Sequence, residues 1–478
     1  MVTLAAPVVV AEIGWVSMGL VDTLMVGPLG PEAIGAVGIG SAVFMGVVIF
    51  AMGVLLGLDT LVSHAYGAGR VDECHRWLVH GTVLSLLIAL PVTLLLIVLS
   101  ELLGAWGLDP TVLRLTRPYL DIVVWTVLPL LLYATFRRYL QGMGVVRPVM
   151  MALVTANVTN VIVNWVLIYG KLGAPAMGVR GAAWATALSR VAMAAYLFGA
   201  IMQRERGRRP GLFETPLSIE HAWMRRLFSL GLPAASQITL EVGVFAASTA
   251  LAGRLAPIAL AAHQIAIHIA ALSFMVPLGI SSAGAVRVGH AVGSGDPAGA
   301  ARSGWTAILL GAGFMACTAA AFILIPRVLM GAFTRDERVL QLGVSLLAVG
   351  AIFQLFDGIQ GVATGVLRGL GDTRTPMLWN LVGHWFIGLP TGYALCFVLE
   401  RGVVGLWWGL SIGLIICGVA LLIVWARRIH ALKVQAWQGP ASAFLPAIPP
   451  LAPPADRPAS RGARAGSTRP PTRPAGPQ

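Results

Sequence analysis

The stretch His64-Ala65-Tyr66-Gly67-Ala68-Gly69 returns as His290-Ala291-Val292-Gly293-Ser294-Gly295, 226 residues later. The same offset pairs Pro7 with Pro233, Gly27 with Gly253, Leu29 with Leu255, Ala33 with Ala259, Ala36 with Ala262 and Arg76 with Arg302. Apolar bias produces scattered Ala and Leu coincidences, but not a His-Ala-x-Gly-x-Gly run in register. A further echo, RYLQGMG at Arg138–Gly144 against GVLRGLG at Gly365–Gly371, is displaced by one residue. The chain is therefore a duplication, and each half has to fold in the same way.

The solvent of that fold follows from composition. Of 478 residues 57% are apolar and 11% charged, against about 25% charged in a soluble domain. Apolar blocks long enough to cross a bilayer of ~30 Å fall at 2–26, 34–62, 77–102, 116–140, 148–169 and 179–202, then at 225–252, 259–287, 303–326, 339–367, 375–398 and 403–426. The expected fold is thus an all-α integral membrane protein of twelve transmembrane helices in two six-helix lobes. An even number of spans per half makes both halves enter the membrane the same way. They are then related by a pseudo-two-fold axis along the membrane normal, with substrate bound in the cleft between them. The 56 glycines, many inside spans, suit close helix approach. Met1–Val26 lacks a basic leader and carries Glu12 and Asp22, which makes it a first span and not a removable signal peptide; Pro7 lies so early in apolar sequence that a short leader before Met1 is expected.

The expected domains are a lobe at 1–202, a basic linker at 203–224, a lobe at 225–427 and a disordered Pro/Arg/Ala-rich tail at 428–478. A net charge of +13 would suggest nucleic acid in a soluble protein, but the positive charge alternates between loops, as orientation in a membrane demands. With both ends inside, inner loops hold 15 basic residues and outer loops 9, which favours cytoplasmic termini. The 31 Arg against 2 Lys suit a GC-rich bacterial genome, hence a bacterial inner membrane. Cys74, Cys317, Cys396 and Cys417 have no metal-ligand or disulfide spacing. Neither HExxH nor GxSxG occurs, so an enzyme is not expected.

Ionisable residues inside spans cost ~2.5–3.5 kcal/mol on insertion scales and mark pathways. Asp22 in the first span, Glu241 in the seventh and Asp357 in the tenth stand out, with no basic residue near the middle of any span except Arg190. Each acid must be protonated, hold a metal cation or attract a cationic solute, and competition among these is the chemistry of antiport. Glu12, Asp59 and Asp121 are read as structural, Asp59 capping or kinking the second span. Arg368 and Arg374 are read as loop residues, and His64 and His290 as structural. Asn160 and Asn164 share a helix face, with Asn157 beside them. They suit either Na⁺ coordination or hydrogen bonding between helices.

These segments resemble the multidrug and toxic compound extrusion (MATE) family, in its NorM-like branch. The resemblance is carried by LAAPVVVAEIGWVSMGLVDTLMVGPLG in the first span, Gly67–Arg70, GLPAASQITLEVGVFA around Glu241, Ala261–Ala266, Arg287–Asp296, Gly365–Pro376 and Gly388–Tyr393. It implies a V-shaped pair of lobes, acting as a monomer, that export organic cations in exchange for Na⁺ or H⁺. It also implies cation-coupling or substrate-binding roles for Asp22, Glu241, Asp357, Asn160, Asn164 and Thr186. Na⁺ would sit at Glu241 and Asp357, or at Asp22, Asn160 and Asn164. One departure from the family is Asn164, which is Asp in some branches. The alternative within the same fold is a flippase for lipid-linked anions, whose cavity would be lined with Arg or Lys.

Overall fold

A computed structural model describes residues 1–206, 212 and 218–438. Among the described residues twelve helices are long and apolar enough to span a bilayer: α1 Val2–Leu29, α2 Pro31–Gly67, α3 Val71–Trp106, α4 Pro110–Gly142, α5 Arg147–Tyr169, α6 Val179–Glu205, α7 His221–Ala252, α8 Pro257–Gly293, α9 Pro297–Leu324, α10 Glu337–Gly369, α11 Arg374–Val398 and α12 Gly402–Gln435. In α3 the side chains Leu86, Leu87, Leu90 and Leu94 face outwards, while its polar residues His75, His80 and Ser85 are buried. Lipid as solvent explains this inversion of the usual pattern, since backbone and side-chain polar groups find partners only inside the bundle.

Two departures from the expected boundaries have local causes. The last helix runs on to Gln438, so the first part of the expected tail, with Arg428 and Lys433, is a helical extension. The tail at 439–478 and the linker arginines Arg208 and Arg209 lie outside the described residues. Helix α2 breaks at Leu55 and Leu56, just before Asp59. Helix α11 widens into π-helical turns over Leu381–Gly388 and Ala394–Val398, a distortion often found at functional positions.

The two halves meet along crossed pairs: α1 packs on α8, and α2 packs on α7 and α8. Because α7 and α8 are the repeats of α1 and α2, the contact is nearly symmetric. It is tightest at the His-Ala-x-Gly motifs. The His64 imidazole Nε2 lies 2.7 Å from the carbonyl of Gly369, and His290 Nε2 lies 2.6 Å from the carbonyl of Gly142. Each ring thus crosses to the end of α10 or α4 in the opposite half. A Cβ on Gly67 would overlap the His290 carbonyl, and one on Gly293 the His64 carbonyl. The motif therefore supplies both a crossing hydrogen bond and the absence of a side chain that lets the backbones meet. Thr60 adds a hydrogen bond of 2.6 Å to the Arg368 carbonyl. All of these links lie on the side of the α2–α3, α4–α5, α8–α9 and α10–α11 turns, so the halves are closed on that side.

Candidate functional site

Inside the first half, Asp22 points at α5 and α6. Its Oδ1 accepts from the side-chain amides of Asn160 at 3.0 Å and Asn164 at 2.7 Å, and its Oδ2 accepts from the Thr186 hydroxyl at 2.6 Å. The spacing of four along α5 puts both amides on the stripe that faces α1, and Asn164 also donates to Asn160 Oδ1 at 3.1 Å. Asn157, one turn earlier, holds the Gly14 carbonyl of α1 at 2.9 Å and does not reach the acid. Asp22, Asn160, Asn164 and Thr186 therefore form one buried cluster, in which Asn164 Oδ1 lacks a protein partner. Three neutral donors on one carboxylate hold its position without cancelling its charge.

Glu241 and Asp357 are a separate pair, on the second half's wall of a cavity of about 470 Å³ between the halves. Gln237, one turn before Glu241, donates to Glu241 Oε2 at 2.6 Å, and Asn380 of α11 lies 3.4 Å from the same oxygen. Asn380 is the last residue before the π-helical turns of α11. Gln360, one turn from Asp357, lies beside Glu241, and the Asn380 and Thr364 side-chain oxygens are buried without a hydrogen-bond partner. Buried polar atoms without partners are costly, so this wall is built to be completed by a solute. No Arg, Lys or His forms an ion pair with Glu241 or Asp357 among the described residues. Trp15, Phe245, Phe274, Phe353 and Trp407 add aromatic faces to a cavity lined otherwise mostly by aliphatic side chains.

Glu12 and Asp59, read as structural, are held in buried ion pairs. Arg137 donates to Glu12 in a buried ion pair. Asp59 lies 3.2 Å from Arg138 and 3.7 Å from Arg368. Arg368 is thus no loop residue: it is buried at the end of α10 and joins the halves through Asp59. Arg374 is exposed at the start of α11. Sequence reasoning missed Gln237, Asn380 and Gln360; the first was legible from its spacing of four before Glu241, and Asn380 as a lone amide in an apolar span.

The sequence profile of MatE matches twice, over residues 7–166 and 233–394. The chain belongs to the MatE family. The two matched blocks start 226 residues apart, the same offset as the repeat. Among MatE relatives, the "Probable multidrug resistance protein NorM" of Mesorhizobium japonicum is 37% identical over 89% of this chain and 92% of its own length. The "Multidrug resistance protein NorM" of Burkholderia vietnamiensis is 36% identical over 89% of this chain and 92% of its own. A structure described as the outward-facing conformation of a multidrug resistance MATE family transporter superposes with a TM-score of 0.82 at 22% identity, covering 91% of this chain and 96% of that one. The all-helical, twelve-span fold is that of MATE transporters, and the protein is a transporter and not an enzyme.

Proposed function

We propose that this multidrug efflux transporter is a secondary active antiporter that exports organic cations in exchange for Na⁺ or H⁺, by alternating access between its two lobes. The observation that carries this reading is the acid couple Glu241 and Asp357, without a cationic partner among the described residues, on the wall of an apolar cleft between the halves that carries five aromatic side chains. A cation entering the cleft meets negative charge that no resident side chain neutralises, with aromatic faces that favour cationic, flat solutes. Coupling requires that cargo and driving ion occupy that charge by turns. Asp22, Asn160, Asn164 and Thr186 form the first-lobe cation or substrate site, and Glu241 with Asp357 the coupling site.

The moving bodies are residues 1–202 and 225–427, working as a monomer in a bacterial inner membrane with both ends cytoplasmic. The face on which the lobes meet carries most of the loop arginines, so it is the inner face by charge bias. Closure there corresponds to an outward-facing state. The flippase alternative needs free basic charge in the cleft. Arg137, Arg138 and Arg368 do line it, but each is held in an ion pair with Glu12 or Asp59, whereas Glu241 and Asp357 have no cationic partner among the described residues.

The test is efflux of a fluorescent organic cation from proteoliposomes under separate Na⁺ and proton gradients. Asp357→Asn and Glu241→Gln should abolish ion-driven exchange while protein remains folded in the membrane. Exchange at the parent rate in both variants would overturn the assignment, and preferential binding of polyprenyl phosphate over dye would favour the flippase.

A further inference from the structure

A second cavity, of about 1200 Å³, lies on the face where the halves are closed. Its walls come from both lobes: the end of α2 and the start of α3 on one side, and the start of α7, the α10–α11 turn and the end of α12 on the other. Thr60 and His64, which cross to the carbonyls of Arg368 and Gly369, form part of the lining. Six arginines and three acids line it as well. Arg70 pairs with Glu73 at 2.6 Å and Arg428 with Asp372 at 3.0 Å, while Arg76 lies 3.8 Å from Glu220. Arg225, Arg226 and Arg374 are exposed and have no ion pair among the described residues, and the remaining acid, Asp72, is exposed on the α3 side. The positive-inside bias places arginines on this face, but it does not gather them around a void. Nor does it account for two buried donors in the wall. Trp223 is 3% and Thr373 4% exposed, and neither the indole nitrogen nor the hydroxyl has a hydrogen-bond partner. An indole N–H can only donate, so an acceptor is what this wall lacks. Guanidinium forks together with N–H and O–H donors match the oxygens of a phosphate group.

We propose that this cavity is a binding site for a phosphate-bearing anion that ties the two lobes together. Arg225, Arg226 and Arg374 belong to the second lobe, and Arg70 and Arg76 to the first. Closing this face brings the two groups of like charge towards each other, and an anion between them replaces repulsion with attraction. Closed molecules therefore bind the anion more tightly than open ones, and the anion in turn shifts the population towards closure. The phosphate comes from the head group of an anionic phospholipid or from a free phosphate compound in the water, since the helix ends around the cavity put it at the membrane surface. That this face is the inner one rests on the antiporter reading above; the binding itself does not.

Two probes on the full-length protein test this. Pyrophosphate is titrated by calorimetry in nanodiscs of zwitterionic phosphatidylcholine, and native mass spectrometry compares retention of phosphatidylglycerol with that of phosphatidylcholine. At least one of pyrophosphate and phosphatidylglycerol should bind, and the one that binds identifies the source of the phosphate. The triple variant Arg225→Gln, Arg226→Gln, Arg374→Gln should weaken that binding about a hundredfold, at roughly fivefold for each arginine near a membrane surface. Thr373→Val should weaken it about tenfold, the loss of one hydrogen bond to a charged group, and keeps the test available if the triple variant does not fold. A control triple, Arg147→Gln, Arg427→Gln, Lys433→Gln, removes the same charge from exposed positions outside this cavity and should bind as the parent does. Equal weakening in the two triples, or no binding of either probe, would overturn the proposal. A saturating probe should also raise the closed fraction in spin-label distances across this face, and binding with an unchanged distribution would overturn the tie between the lobes. Loss of ion-driven exchange in Glu241 or Asp357 variants bears on neither measurement, so the two readings fail separately.

Discussion

If the His-Ala-x-Gly motifs hold the halves together on one face, weakening both should open that face by an additive amount. Replacing His64 and His290 by Leu removes the contacts of 2.7 Å to Gly369 and 2.6 Å to Gly142. A net hydrogen bond contributes about 0.5–1.5 kcal/mol, and the two contacts have no atoms in common, so the double variant should lose about 2 kcal/mol of closure. At 1.4 kcal/mol per tenfold, the ratio of closed to open molecules should fall about 30-fold, with each single variant giving about fivefold. Spin labels on cysteines placed at the exposed positions Arg147 and Asp296 would report the separation across the interface by pulsed electron resonance, in a Cys317→Ser background. The comparison is made where the parent populates both distances, and thermal unfolding in detergent checks that the variants remain folded. A double variant with the parent's distance distribution would refute the latch. So would a single variant with the full effect of the double one, since that would mean that one side alone holds the face shut.

The other expectations are narrower. Gly67→Ala and Gly293→Ala put a methyl group into the opposing backbone, so each should shift the same distance distribution to the open form; an unchanged closed population contradicts the close approach. Glu12→Gln leaves the Arg137 guanidinium buried without its acid and should lower stability by about 3–5 kcal/mol, seen as an earlier unfolding transition, while Glu12→Gln with Arg137→Gln should recover most of it. Equal transitions in parent and single variant would show that the pair is not buried as described. Asp22→Asn keeps one oxygen that accepts from Asn160 and Asn164, and its amide N–H can donate to the Thr186 hydroxyl, so it should spare stability and lose dye exchange. Asp22→Leu strands those three donors, each at about 1–3 kcal/mol, and should also unfold earlier; similar unfolding of the Asn and Leu variants would argue against the cluster.

How legible was this in the sequence? The spans were, because a bilayer imposes length and apolarity on every helix and leaves little room for tertiary override. The repeat was legible too, since a motif such as His64–Gly69 recurs in register only by descent. Asp22, Asn160, Asn164 and Thr186 could be named from spacing and resemblance, and they converge within hydrogen-bond distance. What stayed hidden were partners that meet only when distant helices cross. Asp59 looked like a helix cap because its partners, Arg138 and Arg368, come from α4 and α10. Arg368 looked like a loop residue because it sits in the last turn before Gly371, and only the contact between lobes buries it. His64 and His290 were read as structural, and the carbonyls they reach lie near the ends of helices in the opposite half, beyond any local pattern.

The duplication also explains why the latch is symmetric and the chemistry is not. Both halves must close on one another, so a change in one motif mismatches its counterpart across the interface, and both copies are held to the same form. The acids face no such demand. At the repeat offset Asp22 corresponds to Ser248 and Glu241 to Trp15; with the one-residue slip, Asp357 corresponds to Leu130. Trp15 stacks parallel to Tyr133 at 6.2 Å, filling with aromatic surface the place where the second half carries charge. An intramembrane acid costs about 2.5–3.5 kcal/mol, so a copy that binds nothing is a net loss and an apolar replacement is favoured. The retained acids therefore divide the work. On the reading proposed above, the cleft offers acids without cationic partners from one wall and aromatic side chains from both, which would orient a cationic solute, while the first lobe holds its own acid among Asn160, Asn164 and Thr186. In the antiporter proposed above, a symmetric gate around an asymmetric site would let the two lobes rock as equivalent bodies while one of them presents the coupling charge to the cargo.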